Sequence, residues 1–253
     1  MNIVQIGRRV AALVGVLSAL ALGQAGAAEL KVFTSTALKA VLEELGPQFE
    51  KATGTKLVFT IGPAAVMKAQ IDQGADFDVA IVTPPLLEGL AKAGKVDAAT
   101  RAVIARSPMS VSVRAGGPKP DVATADALKH ALLNAKSVGF NGQGASRAGV
   151  EALFVKLAIA DDMKPKIKLL KTSAPEAVAA GEVEVAFSPL SEVMAVKGAQ
   201  LAGLVPADYQ SYLVLSGGVS AASKNADAAK ALIKFLTAPS AVPVLKAKGM
   251  EPG

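Results

Sequence analysis

Apolar residues along this chain recur at two spacings, one typical of strands and one typical of helices. The run at 31–34 predicts a short buried strand, and apolar residues three and four apart from 38 to 49 predict a helix with one buried face. Strands predicted at 56–61 and 78–82 are each followed by a turn and another helical segment. Three strand–turn–helix units in succession are typical of an α/β protein with largely parallel sheets.

A break follows these three units. The apolar stretch at 102–113, interrupted by Ser107-Pro108, predicts strand structure, and the small residues and proline from Ala115 to Pro118 mark a break after it. We expect the chain to enter a second lobe there and to return to the first near Tyr212. The predicted division is lobe 1 at 29–107 and 212–253, and lobe 2 at 108–211.

The alternation of strands and helices continues beyond the break. Strands are predicted at 137–140, 167–170, 183–187 and 212–215, and helices at 150–157, 226–236 and 241–246. Ser173 and Glu176 have the spacing of a capping box, and Gly181 is placed to end the short helix that they would begin.

The first 28 residues have the pattern of a secretory signal peptide. Arg8 and Arg9 form a basic start, 10–22 is almost entirely apolar, and 25–28 supplies small residues for cleavage. The apolar run is too short for a comfortable membrane span. We therefore predict a signal peptide at 1–28 and an exported protein, which the resemblance described below places in the periplasm.

Composition narrows the chemistry that the chain can perform. There is no Cys or Trp, one His (His130) and two Tyr, with 27 Lys and Arg against 21 Asp and Glu. Cys/His metal sites and a basic, aromatic nucleic-acid surface are therefore not expected. No spacing fits a dinucleotide or phosphate loop, and we predict no cofactor, no metal and no catalytic residue.

The hydroxyl triplet Thr34-Ser35-Thr36 is the first candidate site. It joins a predicted strand to a predicted helix, and a helix start offers free backbone N–H groups and the positive end of the helix dipole. Such a position favours an anion, although the same residues would also suit a simple N-cap.

Several segments also resemble a known family. They are Lys31 to Leu38, Met67 to Ile71, Gly74 to Val79, Ser137 to Gly139, Glu151 to Leu153 and Ala186 to Pro189. In sequence and order they resemble the periplasmic solute-binding proteins of ABC transporters, within the type II fold and the molybdate-binding group. The resemblance runs from Glu29 to the end of the chain.

The resemblance implies an α/β fold of two lobes, with two mainly parallel sheets flanked by helices and a ligand cleft between them. It also implies a monomer that delivers a small anion to a membrane permease. The cleft would be formed by loops at the carboxyl ends of strands. The residues that we expect to line it are Thr34, Ser35, Thr36, Gly62, Ala64, Ala65, Thr83, Asn141, Gln143, Ser146, Arg147 and Ser188.

The chain departs from the molybdate-binding pattern at three positions. Ala37 and the pair Ala64-Ala65 stand where that group has serines, and Ser188 stands where it has a tyrosine. Arg147, at the start of a predicted helix, could instead hold a carboxylate with two hydrogen bonds, or could simply be exposed. The ligand class is left open between a carboxylate, which we place slightly ahead, and an oxyanion such as molybdate.

Two alternatives remain at this point. An exported isomerase of a small polycarboxylate, of the aconitate type, could use the same scaffold, since one positioned acid or base would suffice for a proton shift. The predicted loops carry hydroxyls and amides rather than His or Glu, which favours a binding protein. A sensory partner in place of a permease would leave no recognisable mark in the sequence.

Overall fold

The computed structural model describes residues 29–253, and the predicted signal peptide lies outside this range. The described strands are β1 (Glu29–Ser35), β2 (Lys56–Gly62), β3 (Val79–Val82), β4 (Ala102–Arg114), β5 (Val138–Asn141), β6 (Ile167–Leu170), β7 (Val185–Pro189), β8 (Ala199–Leu204), β9 (Tyr212–Val219) and β10 (Glu251–Pro252). The described α-helices are α1 (Lys39–Thr53), α2 (Ala64–Asp72), α3 (Pro84–Lys92), α4 (Ala125–Asn134), α5 (Arg147–Lys156), α6 (Ala160–Met163), α7 (Ala174–Ala180), α8 (Leu190–Met194), α9 (Ala226–Thr237) and α10 (Val242–Ala247).

The strands form two sheets that share β4. The first has the order β2-β1-β3-β9-β4 with β10 beside β4, and the second has the order β4-β7-β5-β6 with β8 beside β4. β1 runs parallel to β2 and β3, and β5 runs parallel to β6 and β7. β4 and β9 pair antiparallel with their neighbours, so each sheet is mixed, with its parallel part away from the shared strand.

Each sheet is covered by helices on both faces. In β1, Val32 packs into the core under α1 and α9, whereas Phe33 packs on the opposite face with residues of α2 and α3. Alternation of this kind is expected where successive strand residues point to opposite faces. The second sheet has its own apolar clusters, one of which includes Phe140 and Phe154. The chain is thus a two-lobed α/β protein, as the sequence predicted.

The structure differs from the predicted elements near the middle of the chain. β4 continues through Pro108, which we expected to interrupt it; Pro108 lies opposite Tyr212 at the end of the β9 pairing, and from Met109 the strand pairs with β7. Proline is tolerated where a strand changes partner because no ladder N–H is required of it. The helices α6 and α8 and the strands β8 and β10 were not predicted.

The predicted helix cap at Ser173 is confirmed. Its hydroxyl accepts a hydrogen bond from the Glu176 N–H at 3.4 Å, and Gly181 ends α7 with a left-handed φ of 80°. Among residues 29–253 no single helix is both long and apolar enough to cross a membrane, although α9 and the helix after it, bent by 57°, together reach that length and composition.

Candidate ligand cleft

A small cavity lies between the two lobes, at the carboxyl ends of β1, β5 and β7. Its volume is about 30 Å³, roughly the space of one water molecule in the liquid. The lining residues are Ser35, Thr36, Pro63, Ala64, Asn141, Gly144, Ala145, Ser146, Ala174, Phe187, Ser188, Pro189, Glu192 and Leu213. The lobes therefore enclose a polar space at the place where loops of both sheets meet.

The wall from the first lobe consists of the end of β1 and the start of α2. Ser35 caps a short 3-10 turn, and its hydroxyl accepts the Ala37 N–H at 3.4 Å. Pro63 is the N-cap of α2, and its carbonyl accepts from Val66 and Met67. The first N–H groups of α2, including that of Ala64, have no partner within the helix and are available at the cavity.

The wall from the second lobe is a loop that ends at α5. Asn141 holds this loop in place: its amide nitrogen donates to the Thr172 carbonyl at 3.1 Å and its amide oxygen accepts the Gln143 N–H at 2.8 Å. Ser146 is the N-cap residue of α5, but its side chain makes no capping hydrogen bond. The Ser146 hydroxyl is therefore not used by the helix that it precedes.

Ser188 supplies a polar group that the protein itself does not satisfy. It is fully buried, lines the cavity, and its hydroxyl has no hydrogen-bond partner. Its carbonyl is fixed by the Ser110 hydroxyl, which donates to it at 2.8 Å. An unpaired buried hydroxyl costs about 1–3 kcal/mol. Among residues 29–253 the buried unpartnered hydroxyls are those of Thr34, Ser188 and Ser191, and of these residues Ser188 lines the cavity.

Glu192 is the cavity residue that sequence reasoning missed. It lies in the first turn of α8, and burial, together with the negative charge of Glu176, raises its pKa to about 7. The only signal in the sequence was an acid four residues after Ser188. α8 has five residues and no apolar stripe long enough to predict it.

Two serines hold α8 against the strand that joins the lobes. The Ser191 N–H donates to the Ser107 hydroxyl at 3.1 Å, and that hydroxyl donates to the Gly249 carbonyl at 3.0 Å. Since Ser107 belongs to β4, Glu192 is positioned from the shared strand of the two sheets.

Half of the residues predicted for the site line the cavity. These are Ser35, Thr36, Ala64, Asn141, Ser146 and Ser188. The others lie outside the cavity wall: Thr34, Gly62, Ala65, Thr83, Gln143 and Arg147. Thr34 is fully buried with an unpartnered hydroxyl, Thr83 is the N-cap of α3, and Ala65 and Gln143 are exposed.

Arg147 is occupied by other groups. Its Nε donates to Glu151 at 2.8 Å, and its Nη1 donates to the Gly142 carbonyl at 3.2 Å. The pair of hydrogen bonds from Arg147 to a ligand carboxylate is not formed in this arrangement and stays a prediction.

A larger open depression lies at the opposite end of the second sheet. It measures about 940 Å³ and is lined by residues of α4 and by Ser137 and Glu184, which precede β5 and β7. His130 and basic and acidic side chains lie there, but none of the buried unpartnered hydroxyls does. Within residues 29–253 no cluster of acids and histidine is arranged to hold a metal ion.

Comparison with known proteins places the chain in a family. Residues 30–251 match the family of bacterial extracellular solute-binding proteins, and the chain belongs to that family. The resemblance seen in the sequence is thereby confirmed.

Three similar proteins illustrate the range of the group. The molybdate-binding protein ModA of Azotobacter vinelandii is 31% identical, covering 89% of this chain and 90% of ModA. An aconitate isomerase of Pseudomonas sp. is 28% identical, covering 88% of this chain and 87% of the isomerase. The solved periplasmic molybdate-binding protein of A. vinelandii superposes with a TM-score of 0.75 at 23% identity, covering 88% of this chain and 99% of that one.

Proposed function

We propose that this protein binds a small anion in the interlobe cleft and delivers it to the permease of an ABC uptake system in the periplasm. The observation that carries the proposal is the buried, unpartnered hydroxyl of Ser188, a residue that lines the same cavity as the starts of α2 and α5. We also propose that the chain carries a signal peptide at 1–28 and acts as a monomer. The proposed lobes divide between residues 107 and 108 and between residues 211 and 212.

The cleft favours an anion because its free polar groups are mainly donors. The backbone N–H groups at the start of α2, the Ser146 N-cap and the Ser188 hydroxyl can all donate to an oxygen atom of a ligand. Hydrogen bonds to an ionised acceptor are about twice as strong as neutral ones. Enclosure strengthens them further because water is excluded.

The ligand class lies between a tetrahedral oxyanion and a small carboxylate. The similar proteins named above are two molybdate-binding proteins and one aconitate isomerase. The cavity of about 30 Å³ is smaller than either kind of ligand, so its volume does not separate the two classes, and the lobes would part to admit either.

Calorimetric titration tests this proposal. Molybdate, tungstate, sulfate, phosphate and small di- and tricarboxylates would be titrated into the mature protein, and at least one is expected to bind. Ser188→Ala should weaken the best ligand about 5- to 30-fold, because the hydrogen bond to a charged group is lost. Ser240→Ala, at an exposed serine, is the matched control. Absence of binding by every anion would refute the proposal.

A second candidate function is isomerisation of a small polycarboxylate. Glu192 favours it, because a carboxyl group whose pKa is about 7 is well suited to take and return a proton near neutral pH. Its carboxylate would remove a proton from a methylene carbon next to a carboxylate of the substrate. The double bond would shift by one position, and Glu192 would return the proton to the carbon at the other end of the three-carbon unit.

NMR separates the two functions. Each aconitate isomer would be incubated with the protein in D2O, and interconversion with deuterium incorporation is expected only from an isomerase. Glu192→Gln should abolish turnover while leaving carboxylate binding measurable. Unchanged spectra together with measurable binding would exclude the isomerase and favour the transport function.

A further inference from the structure

Glu192 is the one ionisable side chain among the residues that line the cleft. The remaining lining residues contribute hydroxyls, an amide, backbone groups and apolar surface. The cavity has about the space of one water molecule, so an anion bound there would have to part its walls and would still lie against the residues that line it, Glu192 among them. A site otherwise made of donors thus contains one group that can be either a donor or an acceptor.

The protonation state of Glu192 is set by its surroundings and not by a partner cation. Its pKa is raised by burial and by the charge of Glu176 on α7, and within residues 29–253 no hydrogen bond or cation opposes this shift. The protonated form of Glu192 is therefore more favoured than in an exposed glutamate.

Other charged groups near α8 are engaged elsewhere. The helix packs against β4, β7, β8 and the 3-10 turn at Thr36–Leu38. Only β4 among these carries titratable side chains, Arg106 and Arg114. Arg106 pairs with Glu251 at 2.8 Å, and Arg114 lines the depression at the far end of the second sheet.

The segment that follows α10 is the other neighbour of α8. It approaches through Gly249, and the adjacent Lys248 pairs with Glu44 of α1 at 2.9 Å. Among the described residues, neither a lysine nor an arginine lines the cavity to neutralise Glu192.

We propose that the cleft takes its anion together with one proton, which is shared between the Glu192 carboxyl and an oxygen atom of the ligand. Above neutral pH this selects ligands that bring a proton of their own, such as hydrogen phosphate, an organic phosphonate or a hydroxycarboxylate. Fully ionised oxyanions such as molybdate and sulfate bind only when Glu192 takes a proton from solvent. This inference rests on the proposed anion-binding function and names the ligand class of the same site.

The test measures proton uptake during binding. Molybdate and phosphate would be titrated into the wild-type protein in buffers of different ionisation enthalpy, from about pH 6 to about pH 9. For molybdate we expect uptake of roughly one proton per ligand at the alkaline end, and a Kd that rises about tenfold per pH unit above neutrality. At the alkaline end, where inorganic phosphate is present as hydrogen phosphate, we expect little uptake and a nearly constant Kd.

The Glu192→Gln variant supplies the second part of the test, because a side-chain amide still offers a hydrogen-bond donor but cannot ionise. It should bind molybdate at about pH 8.5 at least tenfold more tightly than wild type and without pH dependence. Glu182→Gln, at an exposed acid outside the cleft, should behave as wild type. If Glu192→Gln does not fold, the wild-type proton uptake decides the question by itself.

Two results would count against the inference and can be told apart. Anion binding with a constant Kd and no proton exchange would refute the shared proton and leave the anion-binding function intact. Failure of every anion to bind at any pH would refute the binding function and this inference with it.

Discussion

The side-chain amide of Gln210 is paired with both backbone polar groups of Met109. Its Oε1 accepts the Met109 N–H at 2.8 Å, and its Nε2 donates to the Met109 carbonyl at 3.1 Å. The same Nε2 also donates to the Val205 carbonyl at 3.0 Å, and Oε1 accepts the Ser211 N–H at 3.0 Å. One glutamine thus joins the two chain segments that pass between the lobes, in the manner of a short additional strand.

Gln210→Ala should destabilise the protein because it leaves the Val205 carbonyl and the Ser211 N–H without these partners, whereas Met109 keeps its backbone hydrogen bonds to Ser211 and Val205. We expect a loss of about 2–4 kcal/mol in the free energy of unfolding, measured by urea denaturation. Gln48→Ala is the control: Gln48 lies on an exposed face of α1 with a single bond to the Glu44 carbonyl, and its loss should stay within about 0.5 kcal/mol. Equal effects of the two substitutions would contradict this role of Gln210.

Glu192→Gln should change how stability depends on pH. The pKa of Glu192 rises from an ordinary value of 4.5 to about 7 on folding. Between these values the unfolded chain releases its proton while the folded protein keeps it, so stability falls as pH rises through this window. The penalty reaches about 3 kcal/mol above the folded pKa, and glutamine removes it.

The measurement is the difference in unfolding free energy between Glu192→Gln and wild type. It should be near zero at about pH 4.5 and should reach up to about 3 kcal/mol in favour of the variant at about pH 8. Taking the difference cancels the carboxylates that titrate equally in both proteins. A difference that does not depend on pH would show that Glu192 is ionised normally.

Gly249→Ala should disturb α8 and the cleft. A Cβ atom at Gly249 would lie 2.8 Å from the Met194 sulfur and 2.9 Å from Leu190 Cγ, and the residue has a φ of +73°. Gly54 has nearly the same φ, +71°, but open space around it. Both alanine variants bear the cost of a left-handed backbone, about 1–2 kcal/mol, whereas Gly249→Ala alone adds a packing cost of about 1–3 kcal/mol.

Thermal unfolding and ligand titration check this pair. Only Gly249→Ala should also lower the affinity for the anion, because α8 carries Glu192. If Gly54→Ala proves equally harmful, the contact of Gly249 with α8 is not what matters.

Arg147→Ala should change anion affinity by less than about threefold, because the guanidinium is already bound to Glu151 and the Gly142 carbonyl and exposed ion pairs contribute little. Titration with a dicarboxylate and with molybdate gives the answer. A loss of dicarboxylate affinity of tenfold or more would instead support the contact between Arg147 and a carboxylate that the sequence predicted.

The sequence predicted those parts of the cleft that follow a local rule. Ser35, Asn141 and Ser188 come at the ends of apolar runs, and the carboxyl ends of parallel strands meet at one edge of a sheet. The cap at Ser173 was likewise readable from four adjacent residues. The fold class followed from the alternation of strand and helix spacings of apolar residues, together with the family resemblance.

Glu192 and Gln210 could not be found in the same way, because their roles depend on contacts far along the chain. Glu192 lies on a helix too short for a periodic pattern, and its depth depends on the packing of α8 near Ser107 and Gly249. Gln210 bonds to Met109, which is 101 residues away. An isolated acid or amide looks the same in sequence whether it is exposed or enclosed.

The sharing of β4 by both sheets constrains any opening of the cleft. One continuous strand runs through both lobes, and it changes partner between Pro108 and Met109, so opening of the cleft would bend the chain near that point. α8 is tied to Ser107 beside it, so Glu192 would stay at the pivot while the loop at Ser146 moves away. Water reaching the pivot would then favour the ionised carboxylate. Release of the ligand and release of the proton would then take place in the same movement.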